Sequence, residues 1–102
     1  MLQEKKQYPY IHTFKLSTGE EIVAKVIGED LSSYHIEKPM QLVMGQVGPQ
    51  LAPAVLMFDQ KKKLNLSKTL VLIDGPTMPE LEGQYESLVS GIALPQKSSI
   101  IT

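Results

Sequence analysis

The chain has no Cys, no Trp and no Arg among its 102 residues. Without Cys there is no disulfide framework, no thiolate metal site and no thiol nucleophile, and a reducing compartment is the simpler expectation. Without Arg the fork-shaped group that grips phosphates and base edges at two points is missing. Any nucleic-acid contact falls to ten Lys, backbone amides, four Tyr and two Phe. The formal net charge is −1, which excludes polyanion binding by bulk attraction. No apolar run approaches the roughly 20 residues of a membrane span. Met1-Leu2-Gln3-Glu4-Lys5-Lys6 has no apolar core of signal-peptide length. The expectation is a soluble cytoplasmic protein with no membrane partner.

What is present has an ordinary globular balance, 42% hydrophobic and 21% charged, and suits one domain over residues 1–102. A domain this small buries only part of its surface, so association with copies of itself would help its stability.

Period-two alternation predicts strands. Tyr10, His12, Phe14 and Leu16 share one side of a strand over about 10–16. Ser17-Thr18-Gly19-Glu20 reads as a hairpin turn, with Gly19 free to take positive φ. A second strand follows over about 20–27, with Ile22, Ala24 and Val26 on one face. A third runs over about 34–45. Its Tyr34 and Ile36 share a parity class with Met40, Leu42 and Met44, and Pro39 marks a bulge or bend between them. Gly45 to Gln50 is the next turn. A fourth strand is expected over about 51–67 and a fifth over about 69–74. Residues 51–58 and 70–73 are apolar on both faces. Double-sided strands need a second cover, which points to a neighbouring subunit through Val55, Met57, Leu70 and Leu72.

A helix is predicted over about 78–91. Thr77-Met78-Pro79-Glu80 fits a capping box, and Leu81, Tyr85, Leu88, Val89 and Ile92 form an apolar stripe that ends near Gly91. Residues 95–102 read as a loose tail. The predicted fold is mainly β: a strongly bent, five-stranded antiparallel small barrel with a C-terminal helix.

Residues 14–30, Phe-Lys-Leu-Ser-Thr-Gly-Glu-Glu-Ile-Val-Ala-Lys-Val-Ile-Gly-Glu-Asp, resemble the first motif of Sm-like (LSm) proteins. Gly19, Ala24, Val26 and Asp30 hold the turn, small, apolar and acidic places, with Ala24 where the family usually has Gly. The family's Asn near the third strand is replaced by Tyr34 or His35. For the second motif, Leu66-Ser67-Lys68 is the preferred placement, with Lys68 near the family's Arg; Ile73-Asp74-Gly75 is the other. The layout is similar to the short Sm-like proteins of phages, including those of marine cyanobacteria. The resemblance implies an Sm-like barrel and a homo-oligomeric ring in which the fourth strand of one subunit pairs with the fifth of the next. It also implies RNA as a partner, through Asp30, Ser32, Ser33, Tyr34 and Lys68. Ser32 and Ser33 are too small to stack on a base, and the Asn and Arg are lost. A scaffold ring that has lost the RNA site is therefore the alternative.

No catalytic constellation is legible. His12 and His35 are separated by a turn, a strand and a loop, and no Gly-x-Ser-x-Gly elbow or phosphate loop is present. Neither a cofactor nor an enzyme activity is expected. Lys61-Lys62-Lys63 is the only cationic run. It could track a phosphate backbone, or it could be a solvated loop that discourages edge pairing.

Overall fold

The computed structural model describes residues 7–55, 57–59 and 61–90. Six strands and one helix follow in order. β1 (Tyr10–Leu16) and β2 (Glu21–Glu29) form a hairpin, with Phe14 opposite Ile22 and His12 opposite Ala24. Gly19 turns the chain at φ 109° and donates its amide to the Leu16 carbonyl at 2.9 Å. A side chain at that φ would be strained, so the turn needs glycine. β3 (Ser33–Gly45) pairs with β2 on one edge. On its other edge β4 (Gly48–Pro53) pairs with the second half and β5 (Leu64–Ser67) with the first half. A single 3-10 turn, Lys68–Leu70, leads into β6 (Val71–Pro76), which pairs with the outer edge of β1. Every pair is antiparallel, and the strands make one open sheet. α1 spans Pro79–Ser90.

Two strands stand where one was expected over 51–67. Both lie along the same edge of β3, so the expected strand is interrupted midway. The Ala54 amide still reaches the Pro39 carbonyl at 3.0 Å, and then the chain leaves the ladder. Asp59 makes the departure local: its carboxylate accepts from the Lys61 amide at 2.9 Å, and its carbonyl from the Lys62 amide at 3.1 Å. Such a side-chain turn competes directly with strand pairing. The preceding turn is also tighter than expected. Gly45 faces Gly48 across only two residues, and β4 begins within the expected loop. β6 starts at Val71 rather than 69, because the 3-10 turn takes Lys68–Leu70.

The register of β2 against β3 shifts twice. Val23 faces Met40 but Lys25 faces Glu37, so Lys38 and Pro39 together oppose Ala24. Val26 then faces Ile36 while Gly28 faces His35, leaving Ile27 as the extra residue on β2. The bulge at Pro39 is the one expected, and Lys38 within it takes φ 49°. Its consequence for parity was not expected. Ile22 faces Gln41 and Val23 faces Met40, so Met40, Leu42 and Met44 point away from the face that carries Ile36. One inserted residue moves every later side chain to the other face. Met44 is accordingly exposed, at 78%, and Met57, which lies between β4 and β5, is exposed at 95%.

The core lies on the inner face. Phe14, Ile22, Ala24, Val26, Ile36 and Leu66 are buried together, with Tyr10, Leu16 and Tyr34 packed around them. The helix approaches the opposite face, where Met78 and Leu81 share a groove with Thr13, Val23, Leu42 and Leu51. Tyr85 is its one buried residue, and Leu88 of the expected stripe is half exposed. The expected cap differs as well. The Met78 carbonyl accepts from the Leu81 and Glu82 amides, and Pro79 opens the helix. Thr77 is buried, and its hydroxyl lies 2.8 Å from that of Thr13. Gly91, Ile92 and the expected tail at 95–102 lie outside the described residues.

Candidate functional site

The loop from β2 to β3 meets the 3-10 turn before β6. Asp30 organises the first of these. Its Oδ1 accepts from the Ser32 amide at 2.9 Å and the Ser33 amide at 2.8 Å, and its Oδ2 lies 3.0 Å from His35 Nε2. Its own amide donates to the Ser33 carbonyl at 2.9 Å. Gly28 faces His35 across the strands, and a Cβ there would stand 3.2 Å from the imidazole. Lys68 ties in the second loop. Its amide donates to the Ser32 carbonyl at 2.9 Å, and its ammonium lies 3.2 Å from Glu29 Oε2. The same ammonium stands 5.1 Å from the centre of the Tyr34 ring, in cation–π range.

Five candidate residues, Asp30, Ser32, Ser33, Tyr34 and Lys68, are thus brought into one knot. Lys61, Lys62 and Lys63 are not. They are exposed on the 54–63 loop, and among the described residues they make no ion pair with the knot. The knot spends its groups on itself. The serine amides go to Asp30 and the Lys68 charge to Glu29. Tyr34 is partly buried, with its ring 4.9 Å from that of Phe14.

Hydrogen bonds from the Ser32 amide, then from His35 and the Ser33 amide, hold the Asp30 carboxyl at about 2, below its ordinary 3.8. The sign follows from linkage. A depressed carboxyl contributes its full stability above the unfolded value near 3.8, and loses it as pH falls towards 2. A carboxyl NMR titration is expected to place the Asp30 midpoint near 2. A midpoint at or above 3.8 would contradict the Asp30 turn.

Two features were missed in the sequence. The first is a column of rings: Tyr8, Tyr10, His12, Phe14 and Tyr34 follow one another with centroids 4.9–5.6 Å apart. Its signal was present, since residues 8, 10, 12 and 14 alternate in one strand direction. The second is a groove of about 790 Å³ between the sheet and the helix, lined by Tyr10, His12, Lys25, Asp74, Glu82 and Glu86. His12 Nε2 lies 2.9 Å from Asp74 Oδ1 there. No spacing rule could reveal it, because the groove exists only once β6 pairs with β1. Among the described residues no group of three or more His, Asp or Glu is placed to hold a metal ion, and no helix is long and apolar enough to cross a membrane.

The expected interface residues divide. Val55 is half-buried in an apolar pocket with Leu16, Pro39, Phe58 and Leu64. Leu70 and Leu72 are exposed, as is Ile73, and the last two are about two-thirds open to solvent. Among the described residues the outer edge of β6 pairs with no strand, and neither do the outer edges of β4 and β5. In comparisons with known proteins, no family model matches the chain and no curated protein matches it.

Proposed function

We propose that this chain is an Sm-like module that assembles edge to edge with copies of itself into a closed ring, and that the ring is a protein-interaction scaffold. The observation that carries this reading is the outer edge of β6. Among the described residues it pairs with no strand, and it exposes Leu72 and Ile73. An apolar, unpaired edge is a liability in a monomer and an asset in a closed assembly. The family-like stretch supports the module: Gly19 turns β1 into β2, Ala24 is fully buried, and Asp30 organises the next loop.

RNA binding is the second reading, favoured by the convergence of Asp30, Ser32, Ser33 and Tyr34 on Lys68. Against it, the groups that would contact RNA are engaged with one another. Light scattering is expected to give several times the 11.3 kDa chain mass; a monomer would refute the ring. A labelled short RNA, titrated at two salt concentrations, is expected not to bind. Binding that weakens steeply with salt, and again in Lys61/Lys62/Lys63→Ala, would replace the scaffold by the RNA reading.

A further inference from the structure

We propose that the groove between the sheet and the helix is a docking site for an arginine-bearing segment of a partner protein, with Glu82 and Glu86 as its anchors. This inference rests on the protein-interaction reading and names the partner's chemistry. It does not need the ring, because one copy supplies every wall residue. At about 790 Å³ the groove has the size of an ordinary ligand cleft. It runs past the last β1–β6 pair, His12 opposite Pro76, along Tyr10 and Ile11. Its charge is one-sided. Among the described residues Asp74, Glu82 and Glu86 line it, and Lys25 is the one lysine in the wall.

Asp74 is engaged by His12 at 2.9 Å. Glu82 and Glu86 have no ion-pair or hydrogen-bonding side-chain partner among the described residues. Glu82 is half-buried, so its carboxylate has lost part of its hydration without gaining a counter-charge. The two glutamates stand four residues apart on α1, where like charges repel. A cation between them replaces that repulsion by attraction. The rest of the wall selects among cations. The Tyr10 ring lines the same groove, steadied by Tyr8 stacked at 5.6 Å and His12 edge-on at 5.2 Å. A planar guanidinium can lie along an aromatic wall and still fork to carboxylates, whereas an ammonium is a compact, strongly hydrated point charge. This chain has no Arg. A second copy cannot supply a guanidinium, so the occupant is another protein.

Fluorescence anisotropy on the full chain tests the site, with a labelled, capped peptide of alternating Gly and Arg as the probe. The wild type is expected to bind it, and to bind the Gly-Lys twin more weakly. E82Q/E86Q is expected to lose about tenfold in affinity, the worth of two partly exposed ion pairs. E80Q changes an exposed acid of the same helix outside the groove wall, and is expected to bind as the wild type does. Far-UV circular dichroism, unchanged in both variants, ensures that lost binding is not lost folding. No binding by the wild type, an equal loss in E80Q, or equal affinity for the lysine twin overturns the proposal. So does binding that appears only in K5A/K6A, which would give the groove to the lysines that precede Gln7 in its wall. A fall in light-scattering mass in E82Q/E86Q without peptide would give it to a second copy, and overturns the partner as well. The same light scattering separates this inference from the ring. A monomer that binds the peptide loses only the ring, and an assembled chain that binds none loses only the docking site.

Discussion

Phe14→Ala is expected to remove about 3–5 kcal/mol of stability, the usual cost of emptying a buried aromatic site. Phe14 is fully buried, opposite Ile22 on β2 and near Asp74 on β6, and its ring meets those of His12 and Tyr34. The strands around it are held by backbone ladders, so the cavity cannot collapse without breaking registers. A domain of about one hundred residues has a total stability on the order of 5–15 kcal/mol. The loss is therefore a large share of the whole. Urea unfolding at fixed protein concentration should show a lower midpoint with an unchanged slope. A change under about 1 kcal/mol would mean that the site relaxes far more than its packing allows.

Tyr85→Ala is expected to cost a similar amount, about 3–5 kcal/mol, and to release the helix while the sheet keeps its strands. Tyr85 is the only buried residue of α1 and is fully enclosed. Its hydroxyl donates to the Lys38 carbonyl at 2.9 Å, with the Glu37 carbonyl 3.1 Å away. Tyr85→Phe keeps the ring and loses only the hydroxyl, and is expected to cost about 1 kcal/mol. The ratio of the two separates packing from hydrogen bonding. Burial also pushes the Tyr85 phenol up to about 12 from its usual 10. Stability that depends on this neutral phenol is complete below pH 10 and declines as pH rises towards 12. Tyr85→Phe should remove that part of the alkaline sensitivity. Hydrogen exchange at the helix amides would show whether the helix loosens alone.

Local pattern was enough for β1, β2 and the turn between them, because alternation and a glycine at positive φ are properties of neighbouring residues. The same holds for the bulge at Pro39, where a missing amide is visible in the sequence. Its effect on Met40, Leu42 and Met44 was not legible. Parity along a strand can be counted only if no residue is extra, and the extra residue, Lys38, has no chemical signature. The broken strand over 51–67 has a related cause. Asp59 and Lys61-Lys62-Lys63 mark a charged break in the sequence, but composition does not show that the break takes the chain out of the ladder rather than along it. The expected cap is displaced by one residue: the helix opens at Pro79 with the Met78 carbonyl accepting its first amides, while the Thr77 hydroxyl lies 2.8 Å from that of Thr13 on β1, 64 positions away. For the site, chain spacing placed Asp30, Ser32 and Ser33 in one loop. Bringing Lys68 to them needed the β3–β5 pairing, in which Ser33 faces Ser67. The acidic groove needed β6 beside β1 and the helix beside both, so nothing local announced it.

The bulge on β3 also acts as an address. A regular ladder offers a helix many equivalent places to rest, each with its carbonyls committed to the next strand. The Lys38–Pro39 defect makes one place unlike the others, and the carbonyls beside it are those within reach of Tyr85. Lys38 is surplus to the pairing, so deleting it would leave Ile36 and Pro39 on their present face and let the sheet run straight. The sheet would be tidier, and the helix would have lost its marked berth. A formal irregularity in one layer thus encodes the position of the next, and lengthening the strand by a residue would move the helix before it disturbed the core.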